Sequence, residues 1–225
     1  MLRYLFSIFA MSILVLPAHA NHQTITTTEA AKTTSFPVTQ STFSGLSALP
    51  FILNDDGILN LEAQFAPFQN RLVLFLAKGA PSAEPASVGA FVINPHRPAA
   101  SLNVTPTQMG FDYYAVRSWT GSADPRFNFN TTDGVFHATV GPLFGTRTSS
   151  PNGNGWFRIS FDPTDSSQTF PVATAGEVLQ DLTLVLFTGN NGDGTGSPNP
   201  GRDIIDNIML NNQLVGKIPH TVFVQ

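Results

Sequence analysis

Two residues of the segment Trp156–Phe161 have side chains suited to carbohydrate chemistry. Trp156 offers a ring that stacks on the C–H face of a sugar, and Arg158 offers a guanidinium that donates hydrogen bonds to hydroxyls or carboxylates. Polar and apolar residues alternate in this segment, so both side chains are expected on one side of a strand and Phe157 on the other. The alternative is that Trp156 fills the core and Arg158 lies over it.

Asn128 and Trp119 extend this candidate binding surface. Asn128 alternates with Phe127 and Phe129, so if the phenylalanines face the core, the amide is expected to point outward with the first pair. Trp119 follows a predicted strand and precedes turn residues, and strand-end loops carry much of the function of β-sandwich proteins. The alternative for Trp119 is an apolar plug that anchors its loop.

The Gly- and Asn-rich segment 190–195 resembles half of a calcium loop. Oxygen-bearing side chains alternate there with glycines, and Ca²⁺ binds six to eight oxygens. A complete EF-hand loop counted from Asn191 needs a carboxylate at its twelfth position, where this chain has Arg202. A structural Ca²⁺ would therefore need another geometry, with Asn191, Asp193 and Asp203 as its candidate ligands. The alternative is a solvated turn.

Motifs of common catalytic sites are missing from the sequence. It contains no Gly-x-Ser-x-Gly and no His-Glu-x-x-His motif, and the four histidines that follow residue 20, His22, His96, His137 and His220, lie far apart. A glycosidase needs two carboxylates a few ångströms apart, and no spacing among the 15 Asp and Glu residues selects such a pair. No catalytic residue is therefore assigned.

The first twenty residues are predicted to be a signal peptide. Arg3 precedes the apolar run Leu5–Leu16, and Ala18-His19-Ala20 supplies the small residues of a cleavage site. The run is too short to cross a bilayer as a helix. We therefore expect a secreted or periplasmic protein that begins at Asn21, and the absence of cysteine favours the bacterial exterior or periplasm.

Composition limits the classes of partner. Only 11 Lys and Arg residues occur, without a cluster, so the basic footprint of a nucleic-acid-binding protein is missing. No second apolar stretch is long enough to span a membrane. These features predict no nucleic-acid partner and no membrane span.

The chain is predicted to be all-β. Phe (19), Gly (18) and Pro (17) are abundant, whereas Glu (four) and Lys (three), which favour surface helices, are scarce. A polar, Thr-rich segment 21–42 is predicted to be a flexible leader, followed by one antiparallel β-sandwich domain over 43–225. The predicted strands are Arg71–Ala77, Val88–Ile93, Phe111–Ser118, Arg126–Asn130, Gly134–Val140, Trp156–Phe161, Leu182–Thr188, Asp203–Leu210, Gln213–Gly216 and Thr221–Val224.

Three segments in order, Arg126–Phe136, Gly153–Phe161 and Gly189–Leu210, are similar to the jelly-roll domain of carbohydrate-binding-module type. That family includes relatives in phage tails and secreted adhesive proteins. The resemblance covers roughly residues 111–212 and implies a jelly-roll-like β-sandwich. It also implies glycan binding, a structural calcium in many members, and a chiefly architectural role for Asp206 and Asn207.

Together these observations favour an exported, non-catalytic β-sandwich that binds a glycan or a cell-surface partner. Two other functions stay open from the sequence. One is a hydrolase or lyase that acts on polysaccharide through dispersed Asp and Glu. The other is a purely structural surface or matrix protein, which the low charge and the richness in Thr, Asn and Gly also suit.

Overall fold

A computed structural model describes residues 43–53, 61–78, 87–114, 125–187 and 201–224. These residues belong to one compact unit that spans Val38–Gln225. The predicted signal peptide and leader lie outside the described residues and stay predictions.

The described chain is nearly all strand, as its composition predicts. The strands are β1 (Phe43–Leu53), β2 (Glu62–Phe68), β3 (Arg71–Lys78), β4 (Ser87–Ile93), β5 (Met109–Tyr114), β6 (Arg126–Thr131), β7 (Phe136–Thr139), β8 (Thr146–Ser149), β9 (Trp156–Phe161), β10 (Thr169–Phe170), β11 (Leu179–Phe187), β12 (Gly201–Leu210), β13 (Gln213–Lys217) and β14 (Val222–Val224). One short helix, α1 (Gly141–Phe144), follows β7.

All fourteen strands form one curled sheet. Its order is β10-β7-β6-β11-β4-β1-β13-β12-β5-β9-β8, with β14 beside β1, β3 beside β12, and β2 beside β3. The two layers of the predicted jelly-roll-like sandwich are therefore two halves of a continuous sheet. The first layer contains β6, β11 and β4, and the second contains β12, β5 and β9.

The core lies between these layers and is built from the alternating residues that the sequence places inward. Phe127 of β6 packs against Phe111 of β5 and Phe161 of β9, with ring centroids 5.7 and 6.2 Å apart. All three rings are completely buried. Strand β11, which is apolar on both faces, lies between β6 and β4, as expected for a central strand.

Strand β1 joins the two layers and departs from the expected antiparallel pairing. It pairs antiparallel with β4 but parallel with β13 and β14. Its Pro50 lies between the segment that pairs with β13 and the segment that pairs with β14. A proline has no N–H to donate, so this interval accommodates it inside a long strand. Strand β2 carries Pro67 and pairs only with β3 among the described strands. These prolines are why the sequence did not predict β1 and β2.

Candidate functional site

Trp156 is buried on the outer face of the second layer. Its side chain is only 2 % exposed and packs with Val73 and Ile204 under Phe68 and Tyr114. The two rings lie 6.2 and 5.2 Å from the indole, respectively.

The tip of the β2–β3 hairpin supplies the cover over this tryptophan. Gln69, in the hairpin turn, accepts a hydrogen bond from the indole Nε1 of Trp156 at 2.9 Å. The turn residues Gln69 and Asn70 both have positive φ, 48° and 60°, as a two-residue hairpin of this hand requires. Trp156 thus faces away from Phe157, as predicted, but the expectation of a solvent-exposed ring is wrong.

Asn128 does not share a surface with Arg158. The core rings of Phe127 and Phe161 meet between the layers, so the residues that alternate with them lie on opposite outer faces. Asn128 is 9 % exposed, on β6 between the paired residues Ala138 and Thr183. The expectation that these side chains point out together is wrong, because the curl of the sheet separates two strands with similar patterns.

A shallow groove of about 250 Å³ runs over the outer face of the second layer beside Arg158. Hydroxyl and amide side chains dominate its lining, with two methionines and a glycine beneath them. The lining residues are Gln108, Met109, Gly110, Thr146, Thr148, Arg158, Ser160, Met209 and Asn212. The cross-strand pairs Thr148–Arg158 and Thr146–Ser160 place these polar groups on one face of β8 and β9.

Asp112 of β5 fixes the guanidinium of Arg158. The Nε and Nη2 atoms of Arg158 donate to Oδ1 and Oδ2 of Asp112 at 2.8 and 3.0 Å, a bidentate pair. The carboxylate is fully buried, whereas the Arg158 side chain is 30 % exposed. Two of the five N–H groups are used by Asp112, and the others have no acceptor among the described residues. Arg158 is therefore an oriented donor at the groove.

A β-bulge in β12 lies next to the Asp112–Arg158 pair and contains Asn207. The register of β12 against β5 shifts after Asp206, and Asn207 has a positive φ of 45°. The Nδ2 of Asn207 donates to Asp112 at 2.6 Å and to Asn152 at 3.1 Å. The predicted architectural role of this Asp-Asn pair agrees with these contacts.

Asp206 is held by its own set of donors. Asn152 Nδ2 donates to its Oδ2 at 3.0 Å, the Asn207 backbone N–H donates to its Oδ1 at 2.8 Å, and Lys217 of β13 donates to the same oxygen. Lys217 also donates to the carbonyl of Leu72 in β3. Each of these two buried carboxylates, Asp112 and Asp206, thus has its own cation and a hydrogen bond to both of its oxygens. This arrangement is that of a structural network, in which buried charges are paired and hydrogen-bonded.

The proposed calcium ligands are only partly described. Asp203 lies in β12, fully buried, opposite Leu76 of β3. Asn191, Asp193 and Trp119 lie outside the described residues. The calcium site and ligand binding at Trp119 stay predictions.

No pattern in the sequence selects Asp112, Asn152 or Lys217. One signal was present for Asp112, which is a charged residue inside the otherwise apolar and aromatic strand Met109–Tyr114. A carboxylate in such a strand requires a cation beside it. Which cation it is depends on strand order, and strand order could not be predicted from the alternation alone.

No helix among the described residues is long and apolar enough to cross a membrane. Comparison of the chain with protein-family models, with curated proteins and with solved structures gives no match.

Proposed function

We propose that this chain is an exported, non-catalytic β-sandwich protein that binds glycan through the groove beside Arg158. The observation that carries the proposal is the oriented guanidinium in a groove lined by hydroxyl and amide groups. A sugar presents hydroxyls that need donors and acceptors at fixed positions, and a small number of well-placed polar groups supplies this specificity.

The groove offers both kinds of contact that a sugar needs. Arg158 is a pure donor, while the hydroxyls of Thr148 and Ser160 donate and accept. Met209 adds apolar surface for the C–H face of a ring. Arg158 needs no ordering at the moment of binding because Asp112 already holds it, and such preorganisation favours affinity.

The two aspartates beside the groove, Asp112 and Asp206, support binding rather than hydrolysis. A glycosidase needs one carboxyl group that gives up a proton and a second that is accessible to water or to the sugar. Here the oxygens of Asp112 and Asp206 are occupied by Arg158, Lys217 and the two neighbouring asparagines. Export rests on the predicted signal peptide, and the mature protein is expected to begin at Asn21.

The test is a glycan array probed with the mature protein, followed by titration of each glycan that binds. Thr148→Tyr should lower affinity at least about tenfold, which corresponds to about 1.4 kcal/mol, because the ring fills the groove next to Arg158. The matched control is Thr132→Tyr, an exposed threonine in the turn between β6 and β7. It should bind as the wild type does.

Four results would contradict parts of the proposal. If the wild type binds no glycan on the array, the proposed glycan binding is contradicted. If Thr148→Tyr folds and binds normally, the groove is not the binding site. If the protein releases reducing ends from a glycan that it binds, the non-catalytic assignment is wrong. N-terminal sequencing of the protein from an export-competent host should find Asn21, and Met1 would contradict export.

A further inference from the structure

A buried histidine lies in the first layer, away from the groove. His137 of β7 is 1 % exposed, and its ring stacks on Phe129 at 4.8 Å with an interplanar angle of 15°. Its Nδ1 lies 2.7 Å from the carbonyl oxygen of Pro171. A carbonyl only accepts, so Nδ1 carries a hydrogen. On the opposite side of the ring, Nε2 lies 3.0 Å from the hydroxyl oxygen of Thr131, and when Nε2 carries no hydrogen its lone pair is available there.

Two carboxylates converge on that side of the ring. Glu177 Oε2 is 3.7 Å from His137 Nε2. Asp133, His137 and Glu177 each offer one ligand atom, and the three atoms all lie within 4.8 Å of one another. Glu177 Oε2 is itself buried, and no hydrogen-bond donor among the described residues reaches it. Such an oxygen is costly unless a positive charge lies next to it.

We propose that Asp133, His137 and Glu177 form a binding site for a divalent transition-metal ion, with Zn²⁺ as the best fit. This site is separate from the proposed glycan-binding groove, because its three residues belong to the β6–β7 hairpin and to the segment before β11.

The donor set selects this class of ion. One imidazole nitrogen with two carboxylate oxygens suits zinc and its neighbours in the transition series, whereas Ca²⁺ and Mg²⁺ prefer oxygen alone. Zinc bonds of about 2.0–2.2 Å place tetrahedral ligand atoms a little over 3 Å apart, close to the His137–Glu177 separation. The Asp133 oxygen needs a small movement, and Asp133 lies in an exposed turn. Three protein ligands leave a coordination position for water or for an added ligand.

The surrounding groups orient the ligands as in established metal sites. The Pro171 carbonyl fixes the histidine tautomer and the stacked Phe129 fixes the ring plane, as outer-shell partners of a metal-bound histidine do. Asp133 Oδ1 accepts from the Thr131 hydroxyl at 2.6 Å and from the Val135 backbone N–H at 3.0 Å. The Thr131 hydrogen bond is the main reason why the pKa of Asp133 is lowered, so this group is a carboxylate at neutral pH.

The test uses the tag-free full chain, stripped with chelator and titrated with Zn²⁺ by calorimetry and with Co²⁺ by visible absorption. The wild type should bind one ion per chain, and Glu177→Gln and Asp133→Asn should each weaken binding at least about tenfold. Both variants keep the shape of the side chain, and melting curves without metal check that they fold.

The matched control is Asp165→Asn. Asp165 is a partly exposed loop carboxylate that likewise accepts from a hydroxyl and a backbone N–H, here both of Ser167, but it does not belong to the three-residue cluster. This variant should bind zinc as the wild type does. Failure of the wild type to bind a stoichiometric ion would overturn the proposal. Full binding by both ligand variants, or an equal loss in Asp165→Asn, would also overturn it. If Glu177→Gln does not fold, Asp133→Asn alone decides.

Discussion

At the scale of single residues, what covers a side chain decides its role. Trp156 and Arg158 lie on the same face of β9, two residues apart, yet one is 2 % exposed and the other lines a groove. The difference comes from the β2–β3 hairpin. Its residues Phe68 and Gln69 cover the indole of Trp156, and the hairpin does not extend over the guanidinium of Arg158. Alternation gives the face of a residue and leaves its neighbours above that face undetermined.

Trp156→Ala should therefore lower the free energy of unfolding by about 3–5 kcal/mol, because it leaves a cavity in a packed cluster. Denaturant titration measures the loss. Phe223→Ala is the control, since Phe223 is 76 % exposed and its truncation should change stability little. A loss below about 1 kcal/mol at Trp156 would mean that the ring is exposed and would restore it as a sugar-stacking candidate.

At the scale of elements, close strand packing depends on small residues at particular positions. Gly89 of β4 pairs with Phe51 of β1 and Val185 of β11. A Cβ added there would clash with the backbone carbonyl of Leu184 and lie 2.9 Å from the Phe51 ring. Phe51 is completely buried and stacks on Phe91 at 4.2 Å, so the ring has no room to move aside.

Gly89→Ala should lower the free energy of unfolding by about 1–3 kcal/mol or more, as overpacking of a rigid core does. Gly216→Ala is the contrasting variant, because the nearest atom to its added Cβ is the Ser47 hydroxyl, at 2.9 Å, which can rotate away. Gly216→Ala should lose clearly less stability than Gly89→Ala when both are unfolded by heat or by denaturant. Equal losses would mean that the sheet shifts to accept a methyl group at Gly89.

At the scale of the whole molecule, buried polar groups make stability depend on pH. Burial raises the pKa of Asp181 in β11, against the opposing effect of hydrogen bonds from Asn130. The folded state then binds this proton more tightly than the unfolded state does, so stability falls as the pH rises from about 3.8, the ordinary pKa of an aspartate, through the raised pKa. Asp165 shows the opposite sign, because hydrogen bonds from the Ser167 side chain and backbone lower its pKa.

Comparison of the wild type with Asp181→Asn should therefore show a difference that changes with pH. The free energy of unfolding of the wild type should decline relative to the variant as the pH rises through the range just above 3.8. Asp165→Asn should show the reverse, with the wild type gaining as the pH rises from below the lowered pKa of Asp165 to about 3.8. Unfolding titrations at a series of pH values measure both. A pH-independent difference for Asp181→Asn would contradict the effect of burial.

The sequence by itself determined the fold class and most of the strands. Period-2 alternation predicts the inward residues of β6 and β9, because a half-buried strand needs one apolar face. The central position of β11 follows instead from the segment Leu182–Phe187, which is largely apolar on both faces. Turn pairs and glycines mark the strand ends. Strands β1, β2, β8 and β10 were not predicted: Pro50 and Pro67 obscure the pattern in the first two, and the other two have only four and two residues.

Only the tertiary structure decided how these strands meet. The curl of the sheet places Asn128 and Arg158 on opposite outer faces, buries Trp156 under a hairpin distant in sequence, and supplies Asp112 as the partner of Arg158. It also brings His137 within 3.7 Å of Glu177, a residue forty positions later in the sequence. Alternation fixes the side of a strand on which a residue lies, but strand order fixes which residues it meets, and strand order depends on the packing of the whole core.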